Sequence, residues 1–169
     1  MAGNNIAMGA AYRDQLIKGT PTNDLALAGD IGEYLEANLL TASALSVTTA
    51  TPLNITSLVL TPGDWDVDAI VDFVPAATTS VTQWNVSVSN TTATLQSQAP
   101  STSAAINIGP FATTTINQAA QVPAAEVTIS GATVRVSVSA NTTIYLVAQA
   151  AFTVSTMTAY GSLRARRVR

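Results

Sequence analysis

Apolar and polar residues alternate along most of this chain, and the alternation is clearest over residues 64–74. Trp65, Val67, Ala69, Val71 and Phe73 fall on one side of an extended strand, and Asp64, Asp66, Asp68, Ile70 and Asp72 on the other. Period two of this kind marks a strand with one buried and one wet face. Pro62-Gly63 places a turn before it, after a strand over residues 55–60. Residues 81–89 alternate again; Val127 and Ile129 precede Gly131, and Val134, Val136 and Val138 follow it. Residues 139–142 read as a hairpin connection into a strand over 143–154. That strand is apolar on both faces, with Tyr145, Val147 and Ala151 opposite Ile144, Leu146 and Ala148. It is therefore expected to be covered on both sides or to lie at a subunit interface. A last strand spans 158–168, and the stretch 95–125 shows no resolved pattern.

The first forty residues differ. Residues 6–18 fit a short helix stopped by Gly19 and Pro21. A second helix is expected over residues 30–40, where Asp30 and Glu33 form a D-x-x-E capping pattern ahead of Ile31, Tyr34, Leu35 and Leu39. Gly29 and Gly32 weaken it, since glycine costs about 1 kcal/mol against alanine in a helix. The chain is thus expected to have an N-terminal docking arm with short helical segments over 1–40, and a β domain over 41–169. Six clear strands with room for eight, and little helix, predict an all-β fold: an antiparallel β-sandwich, jelly-roll-like at this length.

Composition narrows the chemistry. The 169 residues include no cysteine and no histidine, which excludes disulfides, Cys/His zinc sites, cysteine nucleophiles and histidine-based triads. The one lysine, Lys18, lies in no phosphate-binding glycine loop. Charged residues are 10% of the chain, against about 25% in a typical soluble domain, while 14 serines and 25 threonines supply hydroxyls. Between Phe73 and Leu163 the charges are Glu126 and Arg135. A body so nearly neutral gains little solubility from self-repulsion and suits an assembly. No apolar run is long enough to span a bilayer, and the first residues do not read as a secretory signal, so no membrane partner and a cytoplasmic folding site are expected.

Two charge clusters invite chemistry. Same-face residues on a strand stand about 6.6–7 Å apart, so Asp64, Asp66, Asp68 and Asp72 have a spacing that glycosidases use for paired carboxylates. They could also contribute to a calcium site. A single wet strand supplies neither a pocket nor a means of raising one pKa, and a solvated or salt-bridged face is the simpler account. Arg164, Arg166, Arg167 and Arg169 offer charges for phosphates, yet the net charge is −3 and no aromatic residues interleave with them. Pairing with the aspartates is expected instead, and nucleic acid is not an expected partner. The N-x-[ST] triplets at Asn54, Asn85, Asn90 and Asn141 carry no weight without a secretion signal.

Several strings resemble small virion proteins of tailed bacteriophages and prophages. They are Leu60-Thr61-Pro62-Gly63-Asp64-Trp65-Asp66-Val67, then Thr143-Ile144-Tyr145-Leu146-Val147-Ala148-Gln149 and Phe152, then Tyr160-Gly161 and the arginine-rich end, with Gly29-Asp30-Ile31-Gly32-Glu33-Tyr34 ahead of them. The resemblance covers roughly residues 30–169. It implies a non-enzymatic structural protein of the virion, made in the bacterial host cytoplasm, with no cofactor and no catalytic or metal-binding residues. A homotrimeric jelly roll that decorates or cements a capsid, bound to the major capsid protein, is the leading expectation. A tail-fibre or tail-attached receptor-binding module is the alternative. The residues expected to make contacts are Tyr34, Leu35, Asp64, Asp66, Asp68, Tyr145, Arg164, Arg166 and Arg167.

Overall fold

The computed structural model describes residues 24–96, 113–123 and 125–169. The helix expected over 6–18 lies outside the described residues. Within them the strands are β1 (Tyr34–Leu39), β2 (Leu45–Ser46), β3 (Leu53–Leu60), β4 (Gly63–Pro75), β5 (Ser80–Ser89), β6 (Thr113–Gln121), β7 (Val127–Ser130), β8 (Val134–Val138), β9 (Thr142–Thr153) and β10 (Met157–Arg167). They form two antiparallel sheets, a β-sandwich as the alternation predicts. In the first, β1 and β2 lie end to end along β10, β10 pairs with β4, and β7 and β8 lie end to end along β4. The second has the order β3-β9-β5-β6.

The inward residues of β4 make the centre of the core. Trp65, Val67, Ala69, Val71 and Phe73 are all buried, as are Trp84, Val86 and Val88 of β5 and Ile144, Leu146, Ala148 and Ala150 of β9. Phe73 and Trp84 meet across the two sheets, ring centroids 5.0 Å apart and planes tilted by 55°. Each such ring buries a large apolar area, and the tilted contact adds about 0.5–1.5 kcal/mol.

Three expectations are corrected. Residues 30–40 are not a helix: Tyr34–Leu39 is a strand in register with Arg166–Gly161 of β10. Leu35 and Leu39 pack against the core while Glu36 and Asn38 face solvent, so the true period there is two. Gly29 and Gly32 take φ of +94° and +95°, which no right-handed helix accommodates. The boundary at residue 40 therefore moves, because Tyr34 and Leu35 belong to the sandwich rather than to a separate arm. Residues 139–141 do not close a hairpin either. β8 pairs with β4 in the first sheet, whereas β9 pairs with β3 and β5 in the second, so this connection crosses the sandwich.

The two-sided apolar strand β9 is covered partly by its own chain. Val147 is fully buried opposite Ser87, whose hydroxyl accepts the Gln96 N–H at 3.1 Å. The segment leading there runs across the sheet, with Asn54 on β3 bonded to Thr92 at 2.6 Å and to the Ala93 N–H at 2.7 Å.

Close backbone approach fixes one position in β10. A Cβ on Gly161 would stand 2.3 Å from the Ile70 carbonyl oxygen and 3.1 Å from the Val71 Cα. Gly161→Ala must push β10 from β4, and we expect a loss of about 1–3 kcal/mol, read as a lower urea midpoint. Ser162→Ala, one residue on and facing outward, should stay within about 0.5 kcal/mol of the parent protein.

Candidate functional site

Three of the strings singled out in the sequence, residues 29–34, residues 60–67 and the arginine-rich end, converge at one end of the sandwich. Arg167, near the end of β10, is buried, and its guanidinium is spoken for on every side. Nε donates to Glu33 Oε2 at 2.9 Å, Nη1 donates to the Pro62 carbonyl at 2.7 Å, and Nη2 donates to the Thr61 hydroxyl. Its Cζ lies 4.3 Å from the centroid of the Trp65 ring, a cation–π contact. Trp65 in turn donates its indole N–H to the Thr61 carbonyl at 2.9 Å. The turn between β3 and β4 is thus built around one arginine.

Backbone bonds stitch three segments to the same point. The Gly32 N–H donates to the Arg167 carbonyl and the Arg167 N–H to the Glu33 carbonyl, each at 2.9 Å. The Val168 N–H reaches the Asp64 carbonyl at 2.9 Å, and the Asp64 N–H reaches the Arg169 carbonyl at 3.1 Å. Gly63 makes the packing possible. Its φ is +144°, and a Cβ there would fall 1.9 Å from Arg167 Nη1 and 3.2 Å from the Arg169 carbonyl oxygen. The Thr-Pro-Gly-Asp-Trp string is therefore the seat of a structural clasp that holds residues 29–33 and the chain end to the body.

Asp64 belongs to this clasp and not to a wet face. It is buried and receives Arg135 Nη2 at 2.9 Å and Arg169 Nε at 3.0 Å on one oxygen. The expected pairing of the aspartates with the terminal arginines is met by Asp64 and Arg169. The other aspartates are more open. Asp66 stands in register between Arg166 of β10 and Arg135 of β8, and Asp68 stands opposite Arg164. Asp68 accepts the Thr133 hydroxyl, and Asp72 accepts that of Thr128. Arg166 is exposed. Arg164 lies in register between Glu36 and Asp68, and its Nε is buried without a hydrogen-bond partner among the described residues. Tyr145 lies elsewhere, half-buried on the outer face of the second sheet between Ser57 and Ser89. Tyr34 is likewise part of β1, opposite Arg166.

One groove opens on the charged sheet, about 220 Å³ in volume and lined by Leu40, Ile70, Asp72 and Tyr160 among others. It is smaller than the roughly 300–1,000 Å³ of ordinary small-molecule sites. Tyr160 donates its hydroxyl to Glu126, which pushes the phenol's pKa up. Among the described residues no three acidic side chains gather where a metal ion could be held. Glu33 is the residue of the clasp whose role sequence reasoning missed. Its spacing from Asp30 suggested a helix cap, and its partner lies 134 positions away, beyond any local pattern.

The sequence matches no known family model and no curated protein.

The clasp sets two expectations. Arg167→Met leaves the Glu33 carboxylate buried and unpaired, which should cost about 3–5 kcal/mol. Glu33→Leu combined with Arg167→Met removes both charges and should cost clearly less than Arg167→Met by itself; equal losses in urea denaturation would mean that a buried Glu33 without its partner carries no penalty.

The second expectation concerns acid. Burial pushes the Glu33 carboxyl up, but the Gly29 N–H at 2.8 Å and Arg167 outweigh it and leave its pKa below the ordinary value. The Ser137 hydroxyl and then Arg135 hold Asp64 low as well. A carboxyl whose folded pKa is depressed stabilises the fold above its unfolded value and loses that contribution as pH falls through the folded one. Stability should therefore decline below about pH 4, and Glu33→Gln should flatten part of that decline in midpoints measured from pH 6 to pH 2.

Proposed function

We propose that this chain is a non-enzymatic structural protein of a bacteriophage particle, a jelly roll that assembles as a homotrimer and decorates the capsid. The observation that carries the reading is the strand order. With β1/β2 and β7/β8 each counted as one interrupted strand, eight strands form two four-stranded sheets, and the connections around β3, β4, β5, β8, β9 and β10 pass from sheet to sheet. That alternation is how two Greek keys wrap into a jelly roll, an architecture frequent in capsid proteins. Three of the strings that resemble phage virion proteins, residues 29–34, residues 60–67 and the arginine-rich end, build the clasp, so in this reading they preserve a shape.

The segment before the clasp supports attachment by an arm. Leu25, Leu27 and Ile31 are 71%, 76% and 47% exposed, an unusual density of open apolar side chains just ahead of the Glu33 anchor. In this reading they are buried against the major capsid protein, and the repeated attachment of many weakly held copies adds up over the particle surface. The tail-attached alternative differs in copy number.

The test uses the particle that carries the protein. Hundreds of copies per particle, counted by quantitative mass spectrometry, are expected for a capsid position; a few or a few dozen would move the protein to the tail. Leu25→Asp combined with Leu27→Asp should leave the purified protein folded, with an unchanged urea midpoint, and absent from assembled particles. Normal incorporation of that variant would end the arm reading.

A further inference from the structure

We propose that the sheet β3-β9-β5-β6 is the side through which copies of this chain bind one another, with the edge of β3 in one copy pairing to the edge of β6 in the next. This rests on the homo-oligomeric part of the reading above and on nothing else in it.

The first observation is a complete segregation of charge. None of the four strands Leu53–Leu60, Ser80–Ser89, Thr113–Gln121 and Thr142–Thr153 contains a charged residue. Among the described residues, every charged strand residue lies in the other sheet: Glu36, the four aspartates of β4, Arg135, and Arg164, Arg166 and Arg167. Surfaces that stay in water are normally laced with charge, while the centres of protein–protein interfaces are depleted of it.

The second observation concerns the edges. A free strand edge templates pairing with another chain, and soluble proteins blunt such edges with charges, proline, interruptions or very short strands. The charged sheet does so at both ends. β1 carries Glu36 and gives way to a 3-10 turn at Thr41–Ser43 before the two-residue β2, and β8 carries Arg135 and is separated from β7 at Gly131. The neutral sheet has no charge or proline there, and its edges are broken only by shifts of register between Asn54 and Thr56 on β3 and between Asn117 and Gln121 on β6. β3 and β6 run for 8 and 9 residues without a charge or a proline, and among the described residues each pairs on one side only. Both leave an aliphatic side chain open, Val59 at 53% and Ile116 at 40% exposure.

Geometry selects the partner. Successive antiparallel strands reverse direction, so β3 and β6, at opposite ends of a four-stranded sheet, run oppositely. A second copy rotated about an axis along the strands brings its β3 to the first copy's β6 as another antiparallel pair. The contact is heterologous, and repeated rotation closes it into a ring. A partner for an uncharged edge of this length must itself be uncharged, and the complementary edge is on this same chain. The outer face of the sheet is less available than its edges, because residues 92–96 already bond across it to Asn54, Ser87 and Ser89.

The test measures the mass of the full chain by light scattering at micromolar concentration. Val59→Lys and Ile116→Lys, each at an exposed edge position, should reduce the oligomer to monomer while circular dichroism and the urea midpoint remain those of the parent. Ser130→Lys, on the edge of the charged sheet, should leave the oligomer intact. The chain has no cysteine, so Val59→Cys and Asn117→Cys copies, co-expressed, can be joined by a short bis-maleimide. Cross-links between the two kinds of copy support the pairing; cross-links confined to like copies overturn it. An oligomer that survives both lysine variants overturns this interface and leaves the oligomeric reading standing. A parent chain that is already monomeric overturns both.

Discussion

The buried ion pair between Arg167 and Glu33 is the constraint on which one end of the sandwich depends. Taking both charges out of water costs several kcal/mol per ion, and only a full set of partners offsets that cost. Here the set is complete: a carboxylate, a carbonyl, a hydroxyl and an indole ring surround one guanidinium. The partners come from three places, the segment before β1, the turn between β3 and β4, and the start of β4, and Arg167 brings them to the end of β10. Satisfying the arginine therefore locates all three together. Gly63 follows from this, since any side chain there would occupy the volume of the guanidinium. So does the burial of Asp64, which the chain end covers once Arg167 and Val168 are seated beside β4.

Sequence reasoning reached the sandwich because burial in a sheet leaves a mark at every second residue, and β4, β5, β8, β9 and β10 carry it plainly. It failed where two periods coincide. Ile31, Tyr34, Leu35 and Leu39 fit a helical stripe, but Leu35 and Leu39 also satisfy a strand, and the left-handed φ of Gly29 and Gly32 decides for the strand. It also took the connection between β8 and β9 for a hairpin, because turn residues mark a reversal without saying which sheet receives the next strand. Strand β6 was hidden for a different reason. Thr113–Gln121 is an edge whose side chains are mostly open or half-open, and burial had little to impose on it.

The candidate site was legible in its parts and not in its assembly. The aspartates and arginines stood out as clusters, and their mutual attraction was foreseeable from charge. Which aspartate meets which arginine depends on register. Asp64 meets Arg169 because the chain continues past β10 along the start of β4, whereas Asp66 and Asp68 face Arg166 and Arg164 across an ordinary ladder. Glu33 could not be connected with Arg167 by any local rule.

A neutral sheet must still hold its polar atoms, and this one does so with amides. Asn85 is buried on the outer face of β5, where it donates to Gln83 and Gln149 and accepts from the Thr115 hydroxyl; Gln83 continues the chain to Asn117. Such side chains would lose little on leaving water, since their hydrogen bonds are already made within the sheet. Charged residues at the same positions would need new partners or carry a desolvation penalty. The hydroxyl- and amide-rich composition thus has a physical consequence beyond low charge: Asn85, Ser87 and Ser89 are buried on the outer face of β5 with no ion to desolvate.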